Sequence, residues 1–277
     1  MTRRSTPKPA ARTTTRSLEG RVRLIDRRLR RVLRAEAGAP GVLSRAMRYC
    51  VFSGGKRFRP LLCLGACEAV GGPAAQALSA ACALELIHTY SLVHDDLPAM
   101  DNADERRGRA SCHRKFGEGT AILVGDALLT RAFELFGANG MPNALPILQV
   151  IGRASGATGL IGGQVLDLEQ PTVRRQLEDT AKRKTAALIT AGVVAGALAG
   201  RASASAIARL ERFGRRLGLA FQLKDDLHDG DGMVKALGAP TVRAQAAHLL
   251  EQARRDLAPF GDRAWVLAEL TEWLDNS

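Results

Sequence analysis

Residues 73–98 read PAAQALSAACALELIHTYSLVHDDLP, and this stretch decides the class of fold. Pro73 is tolerated in the first turn of a helix, and Pro98 disfavours helical geometry in the residue before it. Between the two prolines the chain is rich in Ala and Leu and lacks the apolar–polar alternation of a strand. The stretch therefore predicts one long helix that ends near Asp96.

Similar helical segments, separated by Gly and Pro, follow one another along the chain, and a polar loop at 101–112 follows the long helix. No linker rich in Pro, Gly or Ser divides residues 35–277. Aromatic side chains make up only 4 % of the chain, which favours closely packed helices over β structure. We expect a single all-α domain with further helices at about 42–53, 60–71, 116–136, 145–168, 173–200, 203–229, 241–257 and 263–274.

The positive charge of the chain is concentrated at its N-terminal end. The 277 residues contain 40 Lys and Arg against 28 Asp and Glu, a net charge of +12. Residues 1–34 alone contain 12 basic side chains and two acids, so the rest of the chain is nearly neutral. A domain that binds nucleic acid would carry basic charge on its folded surface, and we expect no such partner. We divide the chain into a flexible basic segment 1–34, which includes the start of a first helix, and a helical domain 35–277.

The composition also indicates in which compartment of the cell the protein is located. The uncharged, Ala- and Gly-rich stretch 185–200 has 16 residues, short of the about 20 that a membrane-spanning helix needs, so we expect no membrane span. Five cysteines without a secretory signal indicate reduced thiols and a cytoplasmic, bacterial location. The Arg-, Ser- and Thr-rich residues 2–16 leave an organelle transit peptide as the alternative.

Two short acidic motifs carry the strongest chemical signal. Each places paired aspartates at the end of an apolar helical stretch, Asp95–Asp96 and Asp225–Asp226, and each has another acid soon after, Asp101 and Asp229. Carboxylates clustered without His or Cys select hard cations, usually Mg²⁺ when phosphate oxygens complete its shell. One such motif is a weak signal, because acidic pairs occur at many exposed helix ends. Two of them favour a site for metal and phosphate.

Basic side chains near these motifs predict an anionic ligand. Residues 54–60 read GGKRFRP and place cations at a helix N-terminus, where free N–H groups also attract anions. His88 lies seven residues before Asp95 on the same helix face, a pattern consistent with a core histidine and with a ligand. Lys184 alone would be a solvated side chain at a helix start. Further candidates around the anion are Arg106, Arg107, Thr185 and Gln222.

Six motifs together resemble those of the trans-polyprenyl diphosphate synthases, whose short-chain members include bacterial farnesyl diphosphate synthase. They are GGKRFRP (54–60), ELIHTYSLVHDDLPAMD (85–101), RRG (106–108), GGQVLDL (162–168), KTAALI (184–189) and FQLKDDLHD (221–229). The resemblance, over about residues 40–230, implies a homodimeric all-α prenyltransferase whose single-domain helical bundle, of isoprenoid synthase type, surrounds a deep central cavity. It implies head-to-tail (1'-4) condensation of isopentenyl diphosphate with dimethylallyl or geranyl diphosphate, through an allylic carbocation, to farnesyl diphosphate.

The resemblance also implies roles for individual residues. The implied ligands of Mg²⁺, with Mn²⁺ as a substitute, are Asp95, Asp96, Asp101, Asp225, Asp226 and Asp229. The implied pocket for isopentenyl diphosphate consists of Lys56, Arg59, His88 and Arg107. The implied groups around the allylic substrate are Arg106, Lys184, Thr185 and Gln222. The implied catalytic residues are Asp95, Asp96, Asp101, Asp225 and Lys184.

The sequence leaves alternatives open both for the length of the product and for the activity itself. Tyr90 and Ser91 should lie beneath the reacting diphosphate. In the resembled family an aromatic residue at the position of Tyr90, together with two extra residues before the last acid of the motif, Asp101, indicates a fifteen-carbon product. A geranylgeranyl diphosphate synthase is the first alternative. The second is a weakened or non-catalytic partner subunit of the same fold, because the short loop after Asp229 keeps only Lys235 as a cation. The third is a terpene cyclase, which has no need for the cations at Lys56 and Arg59.

Overall fold

A computed structural model describes residues 17–35, 37–137 and 141–277, and this part of the chain is helical apart from one two-stranded hairpin. The predicted all-α class is confirmed. The helices are α1 Leu18–Val32, α2 Gly41–Val51, α3 Phe58–Ala69, α4 Ala74–Asp95, α5 Cys112–Phe116, α6 Glu118–Glu134, α7 Ala144–Ser155, α8 Leu160–Leu168, α9 Arg174–Thr180, α10 Ala187–Ala199, α11 Ala204–Asp229, α12 Met233–Leu237, α13 Ala239–Leu257 and α14 Trp265–Asp275. The strands are β1 Glu105–Arg106 and β2 Arg109–Ala110, which pair antiparallel. A π-helical segment, Ala181–Ala186, runs into α10, and a 3-10 segment, Ala258–Ala264, leads into α14.

The small-residue helix α10 lies at the centre of the bundle, packed against α3, α4, α7 and α11. A Cβ atom at Gly196 would lie 2.0 Å from the carbonyl oxygen of Cys63 in α3. At Gly214 in α11 a Cβ atom would lie 2.9 Å from the Cα atom of Thr190. The backbones therefore approach closely only because these positions lack side chains, which explains how a bundle so poor in aromatic residues fills its core.

Helix α1 packs into the same core as the rest of the bundle. Ile25 and Leu29 are fully buried, and Arg21 forms an ion pair of 2.6 Å with Glu68 of α3. The described part of the basic segment therefore belongs structurally to the domain that we expected to begin at residue 35. The expected flexibility extends over residues 1–34, of which those before 17, including the alternative transit peptide at 2–16, lie outside the described residues.

Several predicted helices have different limits in the structure. The segment expected at 145–168 is two helices, because Gly156 leaves the helical conformation and α8 begins only after Gly159. The segment expected at 116–136 divides at Gly117, where φ is +87°. The loop at 101–112 contains the hairpin, and the short helix α12 was not predicted. In the two divided segments a change of backbone conformation at a glycine overrides the helical composition around it.

Within the described part of the chain, one segment could cross a membrane by length and composition, Ala144–Leu168. It is a weak signal, since core helices of soluble proteins pass the same test. In the structure the segment is interrupted between α7 and α8, and its Asp167 is ion-paired with Lys184.

Candidate active site

The first acidic motif is formed by the C-terminal end of α4 and the turn after it. Asp96 is 3 % exposed, and its Oδ1 accepts a hydrogen bond of 3.0 Å from Nε of Arg106 in the hairpin. The carboxylate of Asp95 makes no hydrogen bond or ion pair with the described residues, and Asp101 is exposed. Burial raises the pKa of Asp95 to about 6, while the charge of Lys184 opposes this shift. Asp96 is therefore held by the protein, whereas Asp95 has no such partner among the described residues.

The second motif, at the end of α11, shows the same division. Asp226 is 5 % exposed and accepts hydrogen bonds of 2.8 Å from Nε2 of Gln222 and 2.9 Å from the backbone N–H of Met233. Asp225 and Asp229 make no hydrogen bond or ion pair with described side chains. Partial burial, followed by repulsion from Asp229, raises the pKa of Asp225 to about 6.

Lys184 and Thr185 lie on the π-helical segment opposite these motifs. Nζ of Lys184 donates to Oδ2 of Asp167 at 2.6 Å, and Oγ1 of Thr185 donates to Oε1 of Gln222 at 2.5 Å. Gln222 thus links Thr185 to Asp226 in one hydrogen-bonded chain. π-Helical turns are rare and often occur at functional sites. Here the turn places a cation and a hydroxyl group beside the two aspartate motifs.

A group of cations lies on the α3–α4 side of the site. Arg59 is partly buried, and its Nε makes no hydrogen bond to the described residues. Burial lowers the pKa of Arg59 to about 10, against the favourable charges of Glu85 and Asp225. Burial and then the neighbouring charge of Arg59 lower the pKa of His88 well below its usual value, so that its ring is neutral at pH 7. This side of the site therefore offers positive charge and a neutral imidazole to an anion.

Arg107 and Lys56, the other residues predicted for this pocket, differ in where they lie. Nη1 of Arg107 donates to the carbonyl oxygen of Gly54 at 2.6 Å, which places it beside the Gly-Gly turn before Arg59. Lys56 points elsewhere, because its ammonium group lies 4.1 Å from the ring centroid of Trp273 in α14. Lys56 lines a separate cavity between α1 and α14 with Leu18 and Trp273.

A cavity of about 730 Å³ lies between α8, the π-helical segment and the end of α11. Its polar lining includes Asp167, Lys184, Gln222, Asp226, Asp229 and Lys235. Lys235 of α12 thus contributes a cation to the cavity even though the loop after Asp229 is short.

The two candidate product-length residues lie one turn before Asp95 in α4. Tyr90 is 5 % exposed, its ring packs edge-on against His94, and its hydroxyl group has no hydrogen-bond partner among the described residues. Oγ of Ser91 donates to the carbonyl oxygen of His88 at 3.0 Å. Tyr90 therefore presents a mainly apolar barrier inside the bundle.

Three residues that interact with the site were not singled out from the sequence. Asp167 pairs with Lys184, and Glu85 pairs with Arg57 at the turn before Arg59. Asp167 lies within the motif GGQVLDL and Glu85 within ELIHTY, so both were inside recognised segments. Nothing in the spacing of Arg57 distinguishes its inward side chain from those of Lys56 and Arg59.

The sequence pattern of the polyprenyl synthetases, described as "Polyprenyl synthetase", matches residues 40–243. The chain belongs to this family. The matched range contains both aspartate motifs, the cationic turn and the π-helical segment. It does not contain α1 or α14.

Relatives and solved structures agree with the family. A dimethylallyltranstransferase of Fischerella ambigua (strain UTEX 1903) is 43 % identical over 266 residues, which cover 86 % of this chain and 77 % of the relative. The chloroplastic geranylgeranyl pyrophosphate synthase 11 of Arabidopsis thaliana is 45 % identical over 72 % of this chain, but only 59 % of its own length is matched. The crystal structure of an FPP/GFPP synthase from Zymomonas mobilis, in its apo form, superposes with a TM-score of 0.88 at 36 % identity, over 92 % of this chain and 96 % of that one. This polyprenyl synthetase is a trans-prenyl diphosphate synthase, and therefore a prenyltransferase.

Prenyl synthases of this family generally use a divalent metal, and the side chains of this synthase fit one. Asp95, Asp101, Asp225 and Asp229 offer carboxylates that the described residues leave free, and carboxylate oxygens are the ligands that hard divalent cations prefer. No three such side chains converge on one point within the described residues. This agrees with ions that use one or two carboxylates and complete their shell with phosphate oxygens and water.

Proposed function

We propose that this prenyl diphosphate synthase condenses isopentenyl diphosphate with dimethylallyl or geranyl diphosphate, head to tail (1'-4), and releases farnesyl diphosphate. The observation that carries the proposal is that charged side chains form two different groups at the site, which we assign as anion-binding regions. One combines free aspartates with Lys184, and the other combines Arg59, Arg107 and the neutral His88. Two regions match a reaction in which two diphosphates are held side by side.

The aspartate region suits the allylic diphosphate. Asp95, Asp101, Asp225 and Asp229 would hold Mg²⁺, with Mn²⁺ as a substitute. A bound Mg²⁺ supplies Lewis-acid stabilisation of charge on the departing diphosphate. Lys184, with Asp167 fixing its ammonium group, adds a positive charge to the same diphosphate. Arg106 is held by Asp96 at the edge of the region, and Gln222 and Thr185 complete it.

The cationic region suits isopentenyl diphosphate. Arg59 and Arg107 bind its diphosphate, and the neutral His88 donates a hydrogen bond. The double bond of this substrate attacks the allylic carbocation, a carbon–carbon bond forms, and a proton leaves the new chain. The apolar helix surfaces around the site exclude water, which would otherwise trap the cation. Lys56 joins this region only if its side chain leaves Trp273.

Product length is the finer part of the proposal. Tyr90 supports a fifteen-carbon product, since a large buried ring one turn before Asp95 limits the length of a growing chain. Proteins similar to this chain are named both FPP/GFPP synthase and geranylgeranyl pyrophosphate synthase, so a geranylgeranyl diphosphate synthase is the alternative. A weakened partner subunit is the other alternative, supported by the single lysine, Lys235, of the short loop after Asp229.

We further propose a homodimer. Large exposed apolar side chains are concentrated on α6, α7 and α8, and such clusters mark interaction surfaces. The bacterial relative is consistent with a cytoplasmic place, and the chloroplastic relatives leave an organelle as the alternative.

The test is to incubate the full chain and isopentenyl diphosphate with dimethylallyl, geranyl or farnesyl diphosphate, and to size each product by chromatography. We expect a fifteen-carbon product that requires a divalent metal and disappears with EDTA. Tyr90→Ala should shift the product to longer chains, whereas Tyr90→Phe should not, since the hydroxyl group has no partner. An unchanged product from Tyr90→Ala contradicts the assignment of length. Inactivity with all three allylic substrates favours the partner subunit, and a product made without isopentenyl diphosphate favours a terpene cyclase.

A further inference from the structure

Arg57 has an unusual conformation and environment for an arginine in a cationic loop. It lies in the left-handed region with φ +54°, directly after Gly54 and Gly55 with φ of +106° and +119° and Lys56. Its side chain is only 4 % exposed and points into the protein. A non-glycine residue in this conformation costs free energy, so the surrounding contacts must hold it there.

Three groups from three helices hold the guanidinium group of Arg57. Nε donates to Oδ1 of Asp26 in α1 at 2.9 Å, and Nη1 donates to Oε1 of Glu85 in α4 at 2.6 Å. Nη2 donates to the carbonyl oxygen of Val51 at the end of α2, also at 2.9 Å. Glu85 is 3 % exposed and Asp26 is 31 % exposed, so the network extends from the core to the surface of α1.

The turn that Arg57 fixes carries much of the cationic region. Arg59 follows two residues later in the first turn of α3, and Arg107 donates to the carbonyl oxygen of Gly54. A Cβ atom at Gly55 would lie 2.6 Å from Nη1 of Arg107, so the guanidinium group of Arg107 packs against the backbone of the turn. A change in the turn would therefore displace both arginines.

We infer that Asp26 and Glu85, acting through Arg57, are positioning residues for the isopentenyl diphosphate pocket. They hold residues 54–57 in the conformation that aims Arg59 and Arg107 at one diphosphate. Asp26 lies in α1, before the range 40–243 that the family pattern matches, so a helix outside that range contributes to holding the turn. This inference rests on the proposed function for its substrate.

The test is Asp26→Asn, which removes the charge with little change in shape. We expect the KM for isopentenyl diphosphate to rise about tenfold, as when a charge-assisted hydrogen bond is lost, with the KM for geranyl diphosphate unchanged within about twofold. Asp26→Glu should recover part of the loss. Calorimetric binding of inorganic pyrophosphate without divalent metal should weaken in parallel, which gives a readout that does not depend on turnover.

Arg21→Gln is the matched control, because it removes another ion pair of α1, the 2.6 Å contact with Glu68, without touching the turn. It should lower the melting temperature and leave both KM values unchanged. Equal effects of Asp26→Asn on both substrates, or the same KM changes in Arg21→Gln, would overturn the positioning role. If the wild type does not consume isopentenyl diphosphate, the proposed function fails. The pyrophosphate measurement then decides the positioning role alone, and unchanged affinity in Asp26→Asn overturns it.

Discussion

At the scale of single residues, the aspartates of the two motifs differ in a way that their sequence does not reveal. Asp96 and Asp226 are buried and hydrogen-bonded by the protein, while Asp95 and Asp225 keep their carboxylates free. The six acids could be predicted as a set from spacing. Their division could not, because it depends on how the hairpin and α12 fold back onto the ends of α4 and α11.

The free carboxylate of Asp95 should reduce the stability of the metal-free protein. Burial raises its pKa in the folded protein to about 6, above the 3.8 of a freely solvated aspartate, so ionisation of Asp95 opposes folding at pH 7.5. We expect Asp95→Asn to raise the melting temperature of the metal-free protein by about 2 °C and to lower kcat at least about 100-fold. The measurements are calorimetry in EDTA and turnover with Mg²⁺.

The stabilising effect of Asp95→Asn should depend on pH, because the pKa of Asp95 is raised in the folded protein. Between pH 6 and pH 4 the folded state of the wild type binds a proton at Asp95 that the unfolded state does not, which relieves the cost of ionisation. The rise in melting temperature caused by Asp95→Asn should therefore become smaller as the pH is lowered from 7.5 to 5. Asp101→Asn, which changes an exposed acid of the same motif, should give a smaller rise at pH 7.5. A destabilised Asp95→Asn at pH 7.5 would contradict the argument.

At the scale of elements, the π-helical segment depends on close packing against α8. A Cβ atom at Gly163 would lie 2.2 Å from the backbone nitrogen of Lys184, so Gly163→Ala must push the two backbones apart. Because Lys184 and Thr185 would move with the segment, we expect kcat to fall by about 100-fold, the effect of misplacing reacting groups by about 1 Å. Steady-state kinetics with geranyl diphosphate check this.

Gly152→Ala in α7 is the control, because nothing lies within 4 Å of the Cβ position there. It should leave activity unchanged and, as a helix-favouring substitution, should not lower stability. Full activity in Gly163→Ala would show that the π-helical segment can shift without consequence for the site.

The elements also show where sequence patterns are informative and where they are not. The limits of α4 follow from Pro73 and Pro98, and those of α11 agree with the predicted 203–229. The π-helical segment could not be predicted, since its sequence AKRKTA suits an ordinary helix and its close approach to Gly163 is a tertiary contact. Likewise Lys56 and Arg57 are adjacent cations in the sequence, but in the structure Lys56 lies over Trp273 of α14 and Arg57 points inward to Asp26 and Glu85.

At the scale of the whole molecule, the positive charge of the N-terminal segment and the charges of the site lie in different places. One residue of that segment, Asp26, nevertheless interacts with the turn beside the site. Most arginines of α1 point away from the core, while Asp26, an acid of the same helix, faces inward to Arg57. The net charge of +12 therefore says little about the ligands. The site depends on local pairing of cations with anions inside the helical bundle.

The distribution of apolar surface leads to a prediction about assembly. Seven of the nine large apolar side chains that are exposed in the described chain lie on α6, α7 and α8, among them Leu123 at 59 % and Leu145 at 63 % exposure. We expect light scattering after size-exclusion chromatography to give twice the 29.6 kDa mass of the chain.

Leu123→Glu combined with Leu145→Glu should give monomers, because charges would be buried without partners. Val42→Glu, an exposed apolar position on α2, should leave the dimer intact. A monomeric wild type at about 50 μM, where subunits of a stable dimer with submicromolar Kd stay associated, would contradict the dimer and leave these apolar faces to another partner.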